Sequence, residues 1–412
     1  MFKAKNTLST VERSITPMAR HFYLFTLIVT LLIFIKVSSA DKYCSDILPL
    51  ANTGLDSTSL IQLCIDECES GGILTLPVGR FSLSRGVVLK KTIKIISEGI
   101  SKPCSTSDES ACPILQALPS FYSPIAIVST VQGASSIWLE RIVIDGNKEN
   151  RLGSQTTIEC SQNVNNRNSG RNIFLECDGC TFANSVVANA VCASGFVFRG
   201  SNMTIQSNIF LDNGDQSSYL MWADGLTCLT CDYSRIIGNI FQGNSDIDLI
   251  LGSGVETKIS SNRFIHDFSR KVFGALMLDN FNGGTSGNFT SLSAVQNTID
   301  CSGSSCCYGI ELGPHPWYAS NPIGGGFVIS GNTINGASVG INIDAAGYSL
   351  DSAVTLDSNA VSKQIPGSSF TCTWLCDKPQ PSSTINVSPD SVVVYTSGVN
   401  KPTSARSYQC SK

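Results

Sequence analysis

Thr204-Ile-Gln-Ser-Asn208-Ile-Phe210 returns six times along the chain with small changes. The other copies are Cys180-Thr-Phe-Ala-Asn184-Ser-Val, Ile236-Ile-Gly-Asn239-Ile-Phe, Ile259-Ser-Ser-Asn262-Arg-Phe, Val295-Gln-Asn297-Thr-Ile, Ile329-Ser-Gly-Asn332-Thr-Ile and Leu356-Asp-Ser-Asn359-Ala-Val. The asparagines lie 24, 31, 23, 35, 35 and 27 residues apart. A solenoid with a minimum coil of about 22 to 24 residues and loops of variable length produces such spacings. Each copy alternates apolar and polar residues, the period of a strand with one buried face. A strand this short cannot bury that face alone, whereas stacked coils make a continuous core. The asparagine marks a corner, where it tolerates left-handed geometry and can bond to its neighbours above and below. An antiparallel sandwich with asparagine turns is the competing reading, but Asn-Gly hairpin pairs are nearly absent.

A second column fixes the register. Gly195-Phe-Val-Phe, Gly225-Leu-Thr-Cys, Asp248-Leu-Ile-Leu, Ala275-Leu-Met-Leu, Gly309-Ile-Glu-Leu and Gly340-Ile-Asn-Ile align as strands of one sheet. Their second and fourth residues are apolar and point inward. Val197, Thr227, Ile250, Met277, Glu311 and Asn342 then face out, followed by Arg199, Leu229, Gly252, Asp279, Gly313 and Asp344. That outer face is too apolar for a fully solvated wall, so it is expected to be partly covered or to floor a groove.

The ends differ from the middle. Phe22 to Ile35 is an apolar run, and Ser38 and Ala40 supply small residues for a cleavage site. Residues 1–40 therefore read as a signal peptide removed before Asp41, with Met18 as a more compact start and an uncleaved anchor as the alternative. Residues 41–100 read as an N-terminal cap and first coils, 101–366 as the all-β parallel coils, and 367–412 as a C-terminal cap. Ser57 to Cys68 forms an amphipathic capping helix with Leu60, Leu63, Cys64 and Cys68 on one face and Asp56 as N-cap.

Composition narrows the function. The chain has 17 cysteines, all at or beyond Cys44, which fits an oxidising, extracellular compartment. Cys177-x-x-Cys180 and Cys228-x-x-Cys231 are read as disulfides rather than zinc ligands. Asn202, Asn288 and Asn386 begin glycosylation sequons, the last weakened by Pro389. The leader has five basic residues and one acidic, so the remainder has 23 basic against 31 acidic, a net charge of −8. That charge argues against nucleic acid as a partner, and no membrane association is expected once the leader is gone.

The run Asp56 to Asp66, then Gly71-Gly72-Ile-Leu-Thr-Leu-Pro77-Val-Gly79-Arg-Phe81, then Ile95-Ile-Ser-Glu-Gly99, resembles the opening of pectate-lyase-superfamily (pectin-lyase-like) β-helices. Ile142-Val-Ile-Asp145-Gly146-Asn147 resembles a further coil of that family. The resemblance implies a right-handed parallel β-helix acting on a polysaccharide, as a hydrolase or a lyase. It covers the first hundred residues after the leader well and the later coils in repeat style only. A non-catalytic adhesin or surface carbohydrate-binding solenoid needs the same fold and none of the carboxylates.

Within the superfamily, Trp222-Ala-Asp224-Gly225-Leu resembles the polygalacturonase N-T-D-G coil. Ser245-Asp246-Ile247-Asp248-Leu-Ile-Leu-Gly-Ser253 resembles the G-D-D-C-I-A-I-G-S coil. Asp246 falls on the first family aspartate, but Ile247 replaces the second, a catalytic position. Asp224, Asp246 and Asp248 are thus candidate acids and bases. Asp224 and Asp246 are expected within reach of each other in an open groove, with Tyr219 and Trp222 as sugar platforms. His266 and His315 are candidates for proton transfer near neutrality. Glu311, with Trp317 and Tyr318 after His315, makes a second candidate cluster. Arg270 and Lys271 are candidate substrate-binding cations. No cofactor is called for by a hydrolase. A lyase would need Ca²⁺, for which Asp246, Asp248, Asp267 and Asp279 are the nearest acids, without a recognisable ligand loop.

Overall fold

In a computed structural model, residues 41–99, 102–151, 160, 170–215, 221–266, 272–301, 306–313, 323–337, 339–343, 354–362, 385–387 and 392–393 are described. The chain divides into two units, Met1–Ala40 and Asp41–Lys412. The second is a right-handed parallel β-helix. Its strands form three sheets of 12, 11 and 10 members, and nearly every coil gives one strand to each. Arg235–Ile237, Ile240–Gln242 and Ile247–Leu251 are one such set, in the first, second and third sheets respectively. All ladder pairings are parallel, for example Ile236 with Ile259 and Phe241 with Phe264.

The repeat explains this stacking. Ile205, Ile236, Ile259, Ala294 and Ile329 lie in line in the core from the first sheet. Phe210, Phe241 and Phe264 face them from the second, with rings stacked 4.7 and 4.9 Å apart. Each such side chain contributes about 1.5–3 kcal/mol by leaving water. Leu226, Leu249, Leu276 and Ile310 close the core from the third sheet, in the register read from sequence.

Between the first and second sheets runs the asparagine ladder. Asn208, Asn239, Asn262, Asn297, Asn332 and Asn359 are buried, each side-chain amide donating to the next Oδ1 at 2.9–3.0 Å. The same Oδ1 accepts the backbone N–H of the asparagine before it, as Asn239 does from Asn208 at 3.0 Å. The left-handed residue is not the asparagine but the one preceding it: Ser207, Gly238, Ser261, Gln296, Gly331 and Ser358 have φ between 51° and 66°. Asn184 is itself left-handed, at φ 52°. Ser185 therefore takes the rung, its N–H donating to Asn208 Oδ1 at 3.0 Å. The pattern match placed that one rung a residue early, because an asparagine suits either position.

Helix α1, Thr58–Glu67, lies at the N-terminal end. Ile61, Cys64 and Ile65 are its buried face and Leu63 is 45% exposed, so Leu63 does not belong to the packing stripe. The Cys44–Cys64 disulfide fixes that orientation. Ser57, not Asp56, occupies the cap position, yet Asp56 does the capping chemistry. Its Oδ1 accepts from the Thr58 and Ser84 amides, both at 3.0 Å, and its Oδ2 from the Ser84 hydroxyl at 2.6 Å. Partial burial would raise this carboxyl, but those hydrogen bonds outweigh it and hold it down at about 2. Between about pH 4 and pH 2 the unfolded chain thus binds the proton more readily. The stabilisation is complete above pH 4 and lost as pH falls towards 2. Because Asp56 is exposed, its size is held to below about 1 kcal/mol. Urea midpoints of the parent and Asp56→Asn, compared from pH 6 to 2, should differ at pH 6 and converge at pH 2.

Disulfides join Cys104–Cys112, Cys160–Cys192, Cys177–Cys180, Cys228–Cys231 and Cys301–Cys306. Both C-x-x-C motifs are therefore disulfides, as expected. Ile385–Val387 and Val392–Val393 continue the first and second sheets, carrying the coil register past residue 366.

Candidate active site

The third sheet's outer column runs Val197–Thr227–Ile250–Met277–Glu311 in continuous register. All five are buried. Ile250 and Met277 join Ile247, Phe273, Cys307 and Tyr308 in an apolar cluster separate from the coil interior, and Trp222 and Phe281 pack against it. Trp222 and Phe273 have ring centroids 6.4 Å apart, and Phe273 and Tyr308 5.4 Å. The expectation of a partly covered face is met here by a second, external apolar layer.

Asp224 sits near the start of strand Ala223–Thr230, half-buried at the edge of that layer. Thr227 Oγ1 donates to its Oδ2 at 2.6 Å, Ser194 Oγ lies 3.5 Å from the same oxygen, and the Ile247 amide donates to Oδ1 at 3.2 Å. Three donors therefore orient one carboxylate. Ser194 and Thr227 were not singled out from sequence. The available signal was register: Ser194 lies opposite Asp224 on the preceding coil, and Thr227 is the outward residue beside it.

Asp246, also half-buried, lies one coil further on, its N–H donating to Ala223 O at 3.2 Å. The two aspartates thus occupy neighbouring coils at the same end of the sheet, about 4.8 Å apart in the stacking direction. Level with Asp224 itself is the apolar Ile247.

The remaining expected acids and bases are enclosed. Asp248 turns inward at the corner between the second and third sheets and is fully buried. His266 Nε2–H donates to its Oδ2 at 2.7 Å and Asn244 Nδ2 to its Oδ1 at 2.8 Å. Asn244 also accepts from Asn213 Nδ2 at 2.7 Å, so Asp248 and His266 terminate a second, short amide ladder. The space they use is kept by Gly225, where a Cβ would meet Asp248 O at 2.6 Å and Asn244 Nδ2 at 2.8 Å. Glu311 is fully buried, and Asp279 is 2% exposed. Asp248, Glu311 and His266, candidate acids and bases by sequence, are thus interior side chains. The Asn244–Asp248–His266 contacts give Asp248 and His266 a structural role. His266→Ala leaves the Asp248 carboxylate with one side-chain donor in a dry corner, a cost of about 2–3 kcal/mol. A denaturant midpoint unchanged in that variant would contradict this role.

Tyr219, Arg270, Lys271, His315, Trp317 and Tyr318, together with Asp267, lie outside the described residues. Trp222 is half-buried, with Asp224 two residues on. Among the described residues no group of three or more His, Cys, Asp or Glu side chains converges as a metal site. Both oxygens of Asp224 already accept hydrogen bonds. Of the acids named for a Ca²⁺ site, Asp248 is fully buried with both oxygens bonded, Asp279 is 2% exposed and Asp267 lies outside the described residues.

No protein-family profile and no curated protein sequence matches the chain. Solved structures do. The Yersinia enterocolitica family 28 exopolygalacturonase is 14% identical with a TM-score of 0.55, over 79% of this chain and 66% of that one. The Dettilon tailspike protein gp208 is 14% identical (TM-score 0.44, 79% and 68%), and an alginate lyase from Paenibacillus is 11% identical (TM-score 0.44, 75% and 96%). At such identity the exopolygalacturonase likeness is one of architecture, and about a third of that enzyme's length has no counterpart here. In fold, then, the chain is a right-handed parallel β-helix, the architecture it shares with that exopolygalacturonase.

Proposed function

We propose that this is an exported glycoside hydrolase of polysaccharides, working at the third-sheet end where Asp224 and Asp246 lie on neighbouring coils. The observation that carries the reading is two half-buried carboxyls on successive coils at one end of that sheet, whereas Glu176, further along its outer face, pairs with Arg199 at 3.6 Å. Hydrolysis of a glycosidic bond needs one carboxyl as acid and one as base. Asp224, whose charge is supported by three donors, takes the part of base, and Asp246 that of acid. Trp222 offers a ring face for a sugar beside them.

Six disulfides between described residues support export, and among those residues no helix is long and apolar enough to cross a membrane. The apolar layer over the third sheet and Ile247 at a carboxylate position favour one rival, a solenoid that grips glycans without cleaving them. One experiment separates the two. Purified protein is incubated with a panel of acidic and neutral polysaccharides, reading new reducing ends and ultraviolet absorbance of unsaturated products. New reducing ends without absorbance support hydrolysis. Binding with neither signal supports the rival.

A further inference from the structure

A cleft of about 340 Å³ opens at the corner between the first and second sheets, lined by no third-sheet residue. Its floor is apolar, from Val186 and Ile209 on the outer face of the second sheet. Its wall is Lys102–Pro103–Cys104. That wall is fastened at several points: the Cys104–Cys112 disulfide, Arg80 Nε to Glu109 at 2.8 Å, Arg80 Nη2 to Thr106 O at 3.0 Å, and Arg141 Nη2 to Lys102 O at 2.7 Å. The cleft is a built feature rather than a gap between loose loops.

The rim consists of corner residues on three successive coils, Arg141, Asn184 and Ser207. All three are left-handed, with φ of 58°, 52° and 57°. Their guanidinium, amide and hydroxyl thus recur at the coil spacing of about 4.8 Å, forming a row of donors along the stack. Arg141 has no carboxylate partner among the described residues, and its buried Nε has no hydrogen bond. The nearby acids are engaged. Glu140 is held by Trp138 Nε1 at 2.9 Å and Asn184 at 3.3 Å, with Lys94 3.8 Å away, and Asp108 pairs with Lys102 at 3.3 Å. A chain of net charge −4 therefore displays here an uncompensated, partly desolvated cation beside an apolar floor.

We propose that this cleft binds one unit of a carboxylated saccharide. The carboxylate pairs with the Arg141 guanidinium, a geometry that favours planar two-oxygen anions. The C–H face of the ring lies on Ile209, Val186 and Pro103, and its hydroxyls meet Asn184 and Ser207. A bare inorganic anion would use the guanidinium but neither the floor nor the row. The inference goes beyond the reading of the third sheet and holds whether or not that sheet cleaves glycans.

The test is calorimetric titration of the full chain in an Asp224→Asn background, so that no turnover intervenes. The probes are a uronate trisaccharide, its neutral counterpart, a sulfated disaccharide and inorganic phosphate. Arg141→Gln and Ser207→Glu are compared with the parent, folding being checked by circular dichroism. Ser207→Glu leaves the Arg141 contact to the wall intact and places a negative charge on the rim. The expected result is uronate affinity reduced about tenfold or more by each substitution, with the neutral sugar at least as much weaker in the parent. Uronate affinity within twofold of the parent in both folded variants would overturn the site, as would no uronate binding by the parent. Equal affinity for phosphate, for the sulfated sugar or for the neutral sugar would overturn the ligand class.

Discussion

With the hydrolase proposed above, Asp224→Asn is expected to lower the rate of glycan cleavage by about 10²- to 10⁴-fold, the range that a lost general base or acid typically removes. Asp246→Asn does the same, and neither unfolds the protein. The reason for the small structural cost lies in the contacts of Asp224. An asparagine oxygen still accepts from the Ile247 amide, and its NH₂ group can donate to Thr227 Oγ1, a hydroxyl able to accept as well as donate. Thr227 retains its 2.6 Å contact with Ser194. Reducing-end assays on folded variants make the comparison. Activity within twofold of the parent in both variants would remove the two aspartates from the mechanism.

Asn239→Leu is expected to be the most damaging single change to the fold. It deletes four hydrogen bonds at once: two accepted by Oδ1 from Asn208, and two donated by Nδ2 to Ile205 O and Asn262 Oδ1. All lie in a fully buried corner, where water cannot replace them. At about 1–1.5 kcal/mol each the loss is about 4–6 kcal/mol. For a protein of this size that corresponds to a fall in Tm on the order of 10 °C or more. Asn184→Leu, at a left-handed exposed corner rather than a rung, costs much less and serves as the internal comparison. Equal melting temperatures for the two variants would show that the ladder is not a main source of stability.

The sequence by itself determined the coil register. The Asn-x-apolar copies and the Gly195-to-Gly340 column are short-range patterns, and a solenoid repeats its contacts by simple translation. A local motif therefore suffices to place Ile236 under Ile205 and Leu249 beside Leu226. The C-x-x-C disulfides were legible for the same reason, since both partners lie within one turn of chain. Only the tertiary structure decided which carboxylates meet solvent. Asp248 and Glu311 lie on equivalent strands two positions apart in register, yet one turns into the corner towards Asn244 and His266 while the other is buried on the outer face. At a corner the inward–outward alternation of a strand breaks, and what a side chain meets there is set by residues of the next coil and the next sheet. The left-handed corner at Asn184, one residue before its rung, and the outward turn of Leu63 were hidden likewise. The cleft at Arg141 could not be read at all, because the rim residues lie about 40, 80 and 100 residues from the wall and their meeting is fixed only by the closed coil and the Cys104–Cys112 loop.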